Sequence, residues 1–255
     1  MDWNTLNTDL KRLKLRRIRE LLSQEAIGEA LSSFEDPIEM VGYLIGEEVS
    51  ARDETQREKR LKGARFPVEK TLDEFDFGAG VSICEEAIRS LENMEFLANR
   101  ENVVFLGPPG IGKTHLAIGL GTIAVETGYS VRFITAGRLI DELYASLADG
   151  TFKRELKRLA GFDLLVIDEL GFLSLDRTAS DHFFQVINAA YERQSLILTT
   201  NRPFQEWAAL FDDAITVSAI LDRLLHRAHI FNMKGESYRL RGHVTATSEE
   251  VKHLA

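Results

Sequence analysis

The sequence has a single cysteine, Cys84, among 255 residues, and this excludes a disulfide within the chain. A lone cysteine suits a reducing compartment. No apolar run approaches the ~18 residues that a membrane span needs, and the N-terminus lacks the uninterrupted apolar core of a signal peptide. The six histidines show no metal-ligand spacing with cysteines or nearby acids. We therefore expect a cytoplasmic protein without a membrane partner.

The chain has no overall excess of positive charge to attract a nucleic acid, because its formal net charge is −9. Its cations are nevertheless concentrated in places. Residues 10–19 contain six cations and no acid, and residues 57–65 contain five cations and one acid. A local phosphate-binding surface is compatible with an acidic chain. In the first stretch, Lys11, Arg12 and Arg16 are candidate nucleic-acid contacts.

Residues 1–62 are predicted to form a helical module that serves in DNA or partner binding and in oligomerisation. Asp36-Pro37 has the cap-then-proline order of a second helix start, and that helix should continue to about Gly63. Residues 63–80 mix aromatic residues with glycine and proline, which favours an extended connection packed on the next domain. The apolar residues that recur near the helical period are Leu6, Leu10, Leu13, Ile18, Leu21 and Leu22.

Residues 81–255 alternate short apolar strands with helices, a pattern typical of a parallel sheet covered on both faces. The predicted strands are 102–106, 130–135, 163–168, 195–200 and 229–232. The predicted helices are 113–127, 137–160, 176–193 and 205–227. The fold class is therefore α/β, with a five-stranded parallel sheet.

The stretch from Gly107 to Thr114 matches the G-x-x-x-x-G-K-[ST] pattern of a phosphate-binding loop. A predicted strand precedes it, and Lys113 opens a predicted helix. Glycines let backbone N–H groups turn towards a phosphate, and the helix N-terminus adds positive potential. A glycine-rich turn that carries Lys-Thr by chance is the competing interpretation. The predicted nucleotide contacts are Gly107, Pro108, Pro109, Gly110, Ile111, Gly112, Lys113, Thr114 and His115.

Two acids, Asp168 and Glu169, end the apolar strand 163–168. Thr114 and Asp168 can together hold Mg²⁺, which prefers oxygen ligands. Glu169 is then placed to polarise an attacking water, which indicates ATP hydrolysis rather than transfer to another substrate. The alternative interpretation of the pair is a strand end followed by a helix cap.

Two further polar residues are candidates for catalysis. Asn201 follows the strand 195–200, at the sheet edge where such folds bind ligands; the alternative is a turn-forming residue before Pro203. Arg223 can reach the γ-phosphate of a neighbouring subunit. Arg227 shares its helix face and is the alternative, and either arginine could instead be a solvated helix charge.

In order along the chain, Gly-Pro-Pro-Gly-Ile-Gly-Lys-Thr, Leu-Val-Ile-Asp-Glu, Thr-Thr-Asn and Leu-Asp-Arg-Leu resemble the motifs of the AAA+ superfamily. The chain resembles most the clade of bacterial replication initiators and helicase loaders, and within it the IstB-type ATPases, the transposition helpers of insertion sequences. Residues 64–77 and 234–239 carry the narrower resemblance. It implies a three-layer αβα AAA+ domain with ATP and Mg²⁺ as ligands.

The resemblance also implies residue roles. Lys113 and Thr114 match the phosphate and magnesium positions, Asp168 and Glu169 the hydrolytic acids, and Asn201 the polar sensor. Arg223 matches the arginine that acts on a neighbouring subunit. Arg239 lies near a second sensor position. The clade further implies a helical insertion, here Gly137 to Ala160. Its clustered cations can follow a phosphate backbone largely without sequence preference, and the alternative is an ordinary solvated helix face. These cations are Lys153, Arg154, Lys157 and Arg158.

Three functions are compatible with these features. The first is an ATPase that assembles as a homo-oligomer on duplex DNA, with ATP at the subunit interfaces, and stimulates a transposase. The second is a helicase loader whose N-terminal module binds a replicative helicase. The third is a nucleotide-gated interaction protein with negligible turnover, which the intact Asp168-Glu169 pair disfavours.

Overall fold

The computed structural model describes residues 2–23, 34–78, 80–172, 175–211 and 213–238. The chain divides into two compact units, Met1–Lys59 and Arg60–Ala255. Within the described residues, no helix is both long enough and apolar enough to cross a bilayer. The predicted second sensor, Arg239, lies outside the described residues.

The N-terminal unit is helical but interrupted. It contains α1 (Trp3–Arg12), α2 (Arg16–Leu22) and most of α3 (Pro37–Ala64). The prediction of helix throughout is wrong around Lys14, whose φ of 58° ends α1 and redirects the chain. Leu13, one of the apolar residues that recur near the helical period, is consequently exposed. Residues 24–33, where the prediction also placed helix, lie outside the described residues.

Glu48 of α3 joins that helix to the start of α2. Its carboxylate accepts hydrogen bonds from the backbone N–H groups of Arg17 (2.8 Å) and Ile18 (3.2 Å), which have no partner within α2. Arg52 donates to its other oxygen at 2.9 Å. Burial raises the pKa of Glu48, but the hydrogen bonds from Ile18, Arg52 and Arg17 outweigh burial and lower this pKa below its ordinary value.

The second unit is built on a five-stranded parallel sheet with the strand order β2-β3-β4-β1-β5, which confirms the predicted fold class. The predicted strands are confirmed to within two residues at each end. Every residue of β4 is buried, and so are nearly all of β1 and β3. The strands are β1 (Asn102–Leu106), β2 (Val131–Thr135), β3 (Leu164–Leu170), β4 (Ser195–Thr200) and β5 (Ala228–Asn232).

Helices cover both faces of the sheet. Alternate strand residues divide between two cores: Val103 and Phe105 pack in one, and Val104 packs in the other. The helices of this unit are α4 (Glu85–Arg89), α5 (Glu95–Ala98), α6 (Lys113–Glu126), α7 (Ala136–Ala148), α8 (Phe152–Leu159), α9 (Arg177–Ala190), α10 (Trp207–Leu210) and α11 (Ala214–Leu225). Short 3₁₀ turns lie at Ser90–Asn93 and Phe204–Glu206.

Two stretches predicted as single helices are divided. The stretch 137–160 breaks between α7 and α8, where Gly150 has a φ of 66°. The stretch 205–227 breaks before α11, because Asp213 caps that helix by accepting from the backbone N–H groups of Ile215 and Thr216. In both cases residues with local turn or cap chemistry end a helix that periodicity alone would continue.

The connection before the sheet packs into one of the two cores. Phe66 lies against that core, and Leu72 and Phe75 are buried within it. Leu72 packs closely against α6 because residue 119 is glycine. A Cβ there would lie 2.7 Å from a Leu72 methyl group. This packing places residues 66–75 beside the phosphate-binding loop.

We expect Glu48→Gln to destabilise the N-terminal unit by about 1–3 kcal/mol at neutral pH, because buried N–H groups lose a charged acceptor. The folded-state pKa of Glu48 lies below the unfolded-state value. Its stabilisation is therefore complete above the unfolded-state pKa and is lost as pH falls through the folded-state pKa. Urea unfolding followed by Trp3 fluorescence in a Trp207→Phe background measures this.

The exposed Glu58 on the same helix provides the control, since Glu58→Gln removes the same charge without a buried N–H partner. Equal losses in the two variants, or an unchanged acid transition in Glu48→Gln, would contradict the assigned role of Glu48.

Candidate active site

The loop between β1 and α6 has the backbone of a phosphate cradle. Gly107 has a φ of 151° and Gly112 a φ of 94°, values that favour glycine. A Cβ at Gly107 would lie 2.2 Å from the Met233 carbonyl oxygen, and one at Gly112 would lie 2.4 Å from the Phe75 ring. No side chain therefore fits at either position.

Lys113 is the first residue of α6, with only 9% of its surface exposed. Its ammonium donates to the carbonyl oxygens of Gly107 and Pro108, both at 2.7 Å. These contacts hold a positive charge across the loop, where the helix N-terminus already favours an anion.

A buried carboxylate connects three elements beside this loop. The Thr114 hydroxyl lies 2.9 and 3.1 Å from the two carboxylate oxygens of Asp168, and the Thr199 hydroxyl donates to one of them at 2.5 Å. Asp168 is only 3% exposed, so these hydroxyls satisfy a charge that water scarcely reaches. The structure thus places Thr114 and Asp168 together as predicted. Thr199 was not predicted, because nothing in a Thr-Thr pair reveals which residue faces the acid.

Glu169 leaves the plane of the sheet immediately after Asp168. The pairing of β3 with β4 shifts between Ile167 and Leu170. Glu169 has a φ of 63°, and its backbone N–H donates to the Thr199 hydroxyl at 3.0 Å. This left-handed backbone is strained for a residue with a side chain. Its effect is that the Glu169 side chain is exposed while its neighbours in the strand are buried.

Asn201 follows β4 and lies next to the turn after β3. A Cβ on Gly171 would be only 2.2 Å from the Asn201 Oδ1 atom, so the glycine makes room for the amide. Among the described residues none donates a hydrogen bond to this buried oxygen. A buried acceptor of this kind requires a donor. Because β3, β4 and β1 are adjacent, Asp168, Asn201 and the loop share one edge of the sheet.

A cavity of about 440 Å³ opens beside the loop. It is lined by loop residues, by His115 and by residues of the preceding connection such as Val68 and Phe75. His115 Nε2 lies 2.7 Å from the Thr71 carbonyl oxygen, and its ring meets Phe75 edge-on. Tyr238 also lines the cavity, and its N–H donates to the Gly110 carbonyl at 3.0 Å. A cavity that combines aromatic and aliphatic side chains with polar ones, next to a phosphate cradle, suits the base of a nucleotide.

The lining residues from Gly110 to His115 are among the predicted nucleotide contacts, whereas Phe75 and Tyr238 were not predicted to bind a ligand. Phe75 belongs to the aromatic connection that was noted above without a binding role. Tyr238 follows the last strand, and only the fold brings it to the loop.

Arg223 lies at the opposite ends of the strands, where β1 begins. The α11 carbonyl of Leu224 accepts from the side chain of Asn102, the first residue of β1, whereas the phosphate-binding loop follows the last residue of β1. A five-residue strand separates these edges by ~16 Å. Within one chain the structure therefore does not bring Arg223 to the loop.

The Arg223 guanidinium is nevertheless held in place. It lies over the Phe184 ring at 5.1 Å, and its Nε donates to the Asn188 side chain at 3.0 Å. Together with the exposed Arg227 it borders a cavity of about 280 Å³. Both candidates for the arginine that acts on a neighbour thus lie on the same surface.

The basic residues of α8 are exposed, as the helical spacing predicted. Arg158, however, is engaged: it pairs with Glu155 at 2.5 Å and approaches Glu142 at 3.4 Å. The remaining three cations, Lys153, Arg154 and Lys157, lie in no ion pair that involves Glu142 or Glu155. In the N-terminal unit Lys11, Arg12 and Arg16 are also exposed, and Arg16 pairs with Glu20 at 2.8 Å.

Glu142 of α7 also contacts two arginines outside α8 that the sequence did not single out. Arg138 donates to it at 3.0 Å, and the buried Arg132 of β2 approaches it at 3.4 Å. Burial lowers the pKa of Arg132, and nearby Arg65 lowers it further. The base of the α7–α8 pair is thus an arginine-rich cluster held by one glutamate.

Comparisons with known proteins agree with this geometry. The sequence model of the family described as IstB-like ATP binding protein matches residues 8–246. The chain is 42% identical over 203 residues to a Geobacillus stearothermophilus protein named for ATP binding in insertion sequence IS5376, covering 80% of this chain and 81% of that one. It is 40% identical over 235 residues to the Pseudomonas aeruginosa counterpart in insertion sequence IS21, covering 91% and 87%.

A solved structure shares the fold. The AMPPCP-bound DnaA from Aquifex aeolicus superposes with a TM-score of 0.55 at 22% identity, over 69% of this chain and 56% of that chain. This likeness supports the AAA+ architecture alone. Since the family match spans most of the sequence and includes the whole phosphate-binding loop, the chain belongs to the IstB-like ATP binding proteins of insertion sequences.

Proposed function

We propose that this protein hydrolyses ATP with Mg²⁺, assembles as a homo-oligomer on duplex DNA, and stimulates and targets a transposase. The observation that carries the hydrolysis is the group Thr114, Asp168, Thr199 and Glu169 beside the phosphate-binding loop. The insertion-sequence names of its relatives support the link to transposition.

The phosphates of ATP would occupy the loop, where the N–H groups and Lys113 supply positive charge and the adjoining cavity receives the base. The Thr114 hydroxyl and the Asp168 carboxylate are oxygen donors already in contact, and this donor set fits Mg²⁺. When bound, Mg²⁺ neutralises charge on the phosphate oxygens.

Glu169 and Asn201 would prepare the water that attacks the γ-phosphorus. Glu169 is exposed at the sheet edge, so its carboxylate can take the proton of that water. The Asn201 side chain lies beside Gly171 at the same ends of the strands, and its amide is the proposed group that orients this water. The Thr199 hydroxyl contacts both residues, since it donates to the Asp168 carboxylate and accepts from the backbone N–H of Glu169.

Arg223 would complete the site of a neighbouring subunit. It is distant from the loop of its own chain, and its guanidinium is held by Phe184 and Asn188. An arginine supplied from a neighbour accelerates phosphoryl transfer by ~10³–10⁵. ATP at the interface would thus favour assembly, and hydrolysis would reverse it. Arg227 remains the alternative for this role.

Duplex DNA would bind through phosphate contacts, because the exposed cations of α8 carry no base-reading pattern. Lys153, Arg154 and Lys157 are the principal contacts proposed in this unit, with Arg158 partly neutralised by Glu155. Lys11, Arg12 and Arg16 are proposed contacts of the N-terminal unit.

The alternative is a helicase loader. It predicts a hexameric replicative helicase as the partner, whereas our proposal predicts a transposase. The names of the relatives favour the transposase, and affinity capture with each purified partner separates the two functions.

We expect Glu169→Gln to lower ATP turnover by roughly 10²–10⁴-fold while ATP still binds, because the variant keeps the cradle and loses the base. Thr199→Val should lower turnover less, by roughly 10–100-fold, and should raise the Mg²⁺ concentration needed for half-maximal rate. Phosphate-release assays across a Mg²⁺ titration, with nucleotide binding measured separately, check both. Wild-type turnover in Glu169→Gln would refute the hydrolytic assignment.

We expect Arg223→Ala to lose most turnover, and mixing it with an excess of inactive Lys113→Ala subunits to restore activity. Each Arg223→Ala subunit retains an intact loop and can receive Arg223 from a Lys113→Ala neighbour. Turnover measured against mixing ratio shows the exchange. Matched mixtures with the double variant Lys113→Ala/Arg223→Ala are the control and should show no restoration. The same absence in the main mixture would assign Arg223 a role within its own chain.

We expect Arg154→Ala/Lys157→Ala to weaken binding to duplex DNA of any sequence and to reduce the slope of log K against log salt by about two. Fluorescence anisotropy at several salt concentrations measures this. The control, Arg177→Ala/Arg193→Ala, removes two exposed cations outside α8. Equal slopes for the two double variants would place the DNA surface elsewhere.

A further inference from the structure

A β-bulge near the end of β3 contains both acids of the site. The ladder between β3 and β4 shifts between Ile167 and Leu170, so that two residues of β3 lie opposite one residue of β4. The two residues are Asp168 and Glu169, and the residue opposite them is Thr199. Such a bulge re-aims side chains, and here one acid is buried while the next is exposed. The position of the exposed carboxylate therefore depends on what holds the bulge.

Two side chains hold the bulge, one on each side of Glu169. On the near side, the Thr199 hydroxyl accepts from the backbone N–H of Glu169 at 3.0 Å and donates to the Asp168 carboxylate. On the far side is Gly171, which follows the last residue of β3. Its carbonyl oxygen accepts a hydrogen bond from Arg202 Nε at 3.0 Å. The segment that carries Glu169 is thus fastened at both ends by residues that follow or end β4.

The turn after β4 lies directly against Gly171. A Cβ on Gly171 would be 2.2 Å from Asn201 Oδ1 and 3.1 Å from Arg202 Cγ. The main chain of Arg202 is itself anchored, because its N–H donates to the Thr200 hydroxyl at 3.1 Å and its carbonyl accepts from the Trp207 indole at 3.2 Å. Trp207 is fully buried. The Arg202 side chain therefore extends to Gly171 from a fixed point.

The other contact of this side chain is weak. Arg202 pairs with Glu206 at 3.3 Å, and both side chains are about half exposed. Exposed ion pairs of this kind contribute little to stability. Arg202 is not among the described residues that line the nucleotide cavity. The bond to Gly171 is therefore the contact through which Arg202 can affect the site.

We propose that Arg202 is a positioning residue for Glu169. By holding Gly171 it fixes the far end of the bulge, and Glu169 keeps one position at the edge of the sheet. This inference rests on the proposed hydrolytic function, since Arg202 acts only through the base. A general base must lie within hydrogen-bond reach of its water, and a displacement of about 1 Å can lower the rate by about 10²-fold. Nucleotide binding does not depend on this distance.

Two variants, Arg202→Met and Arg202→Gln, separate the hydrogen bond from the charge. Both lose the positive charge and the pair with Glu206, and both side chains have the same reach. Glutamine places an N–H group where arginine has Nε and can donate to Gly171, whereas methionine places a methyl group there. We expect Arg202→Met to lower kcat roughly 10–100-fold with little change in KM, and Arg202→Gln to keep most of the turnover. Phosphate-release assays over an ATP titration measure both.

A double-mutant cycle tests whether Arg202 acts through Glu169. In a Glu169→Gln background, Arg202→Met should lower the single-turnover rate by less than about twofold, because the base that Arg202 positions is already absent. A loss of the same size in both backgrounds would overturn the proposal, since a general effect on the fold would produce it. Equal losses in Arg202→Met and Arg202→Gln would also overturn it, because the charge would then matter and not the bond to Gly171.

Glu206→Gln is the matched control, since it removes the exposed partner and leaves the bond between Arg202 and Gly171. Its turnover should equal that of the wild type, and a loss as large as that of Arg202→Met would assign the effect to the ion pair instead. Wild-type turnover in Arg202→Met, together with reduced turnover in Glu169→Gln, would remove only the role of Arg202. Wild-type turnover in Glu169→Gln would instead remove the proposed function itself.

Discussion

The buried carboxylate of Asp168 is the constraint around which the nucleotide edge of the sheet is arranged. A charge with so little access to water must be satisfied locally, and the hydroxyls of Thr114 and Thr199 supply that contact. Those two residues belong to α6 and β4, so one carboxylate fixes the distance between the helix that starts the phosphate site and the strand that ends beside it. The Thr199 hydroxyl also receives the N–H of Glu169, which couples the strained turn of Glu169 to the same carboxylate.

The division of groups between the two edges of the sheet has a functional consequence. The phosphate-binding loop and Asn201 follow strands, and both acids lie near the C-terminal end of β3, whereas Arg223 lies where β1 begins. A parallel sheet keeps these edges apart, because its strands are rigid and buried. An arginine that is held firmly by Phe184 and Asn188 cannot cross that distance by side-chain motion. Under the proposed function, turnover therefore requires a neighbour, and assembly and hydrolysis become one linked process.

Much of this architecture could be predicted from the sequence because its determinants are local. Apolar runs predict the strands, and the loop pattern and the two acids near the end of β3 predict the centre of the site. Other features depend on which residues meet across the fold. Thr199 differs from Thr200 only by facing Asp168, and Tyr238 reaches the loop only after β5 has paired with β1. The breaks at Lys14 and Gly150 were missed because helical periodicity does not register a single left-handed residue.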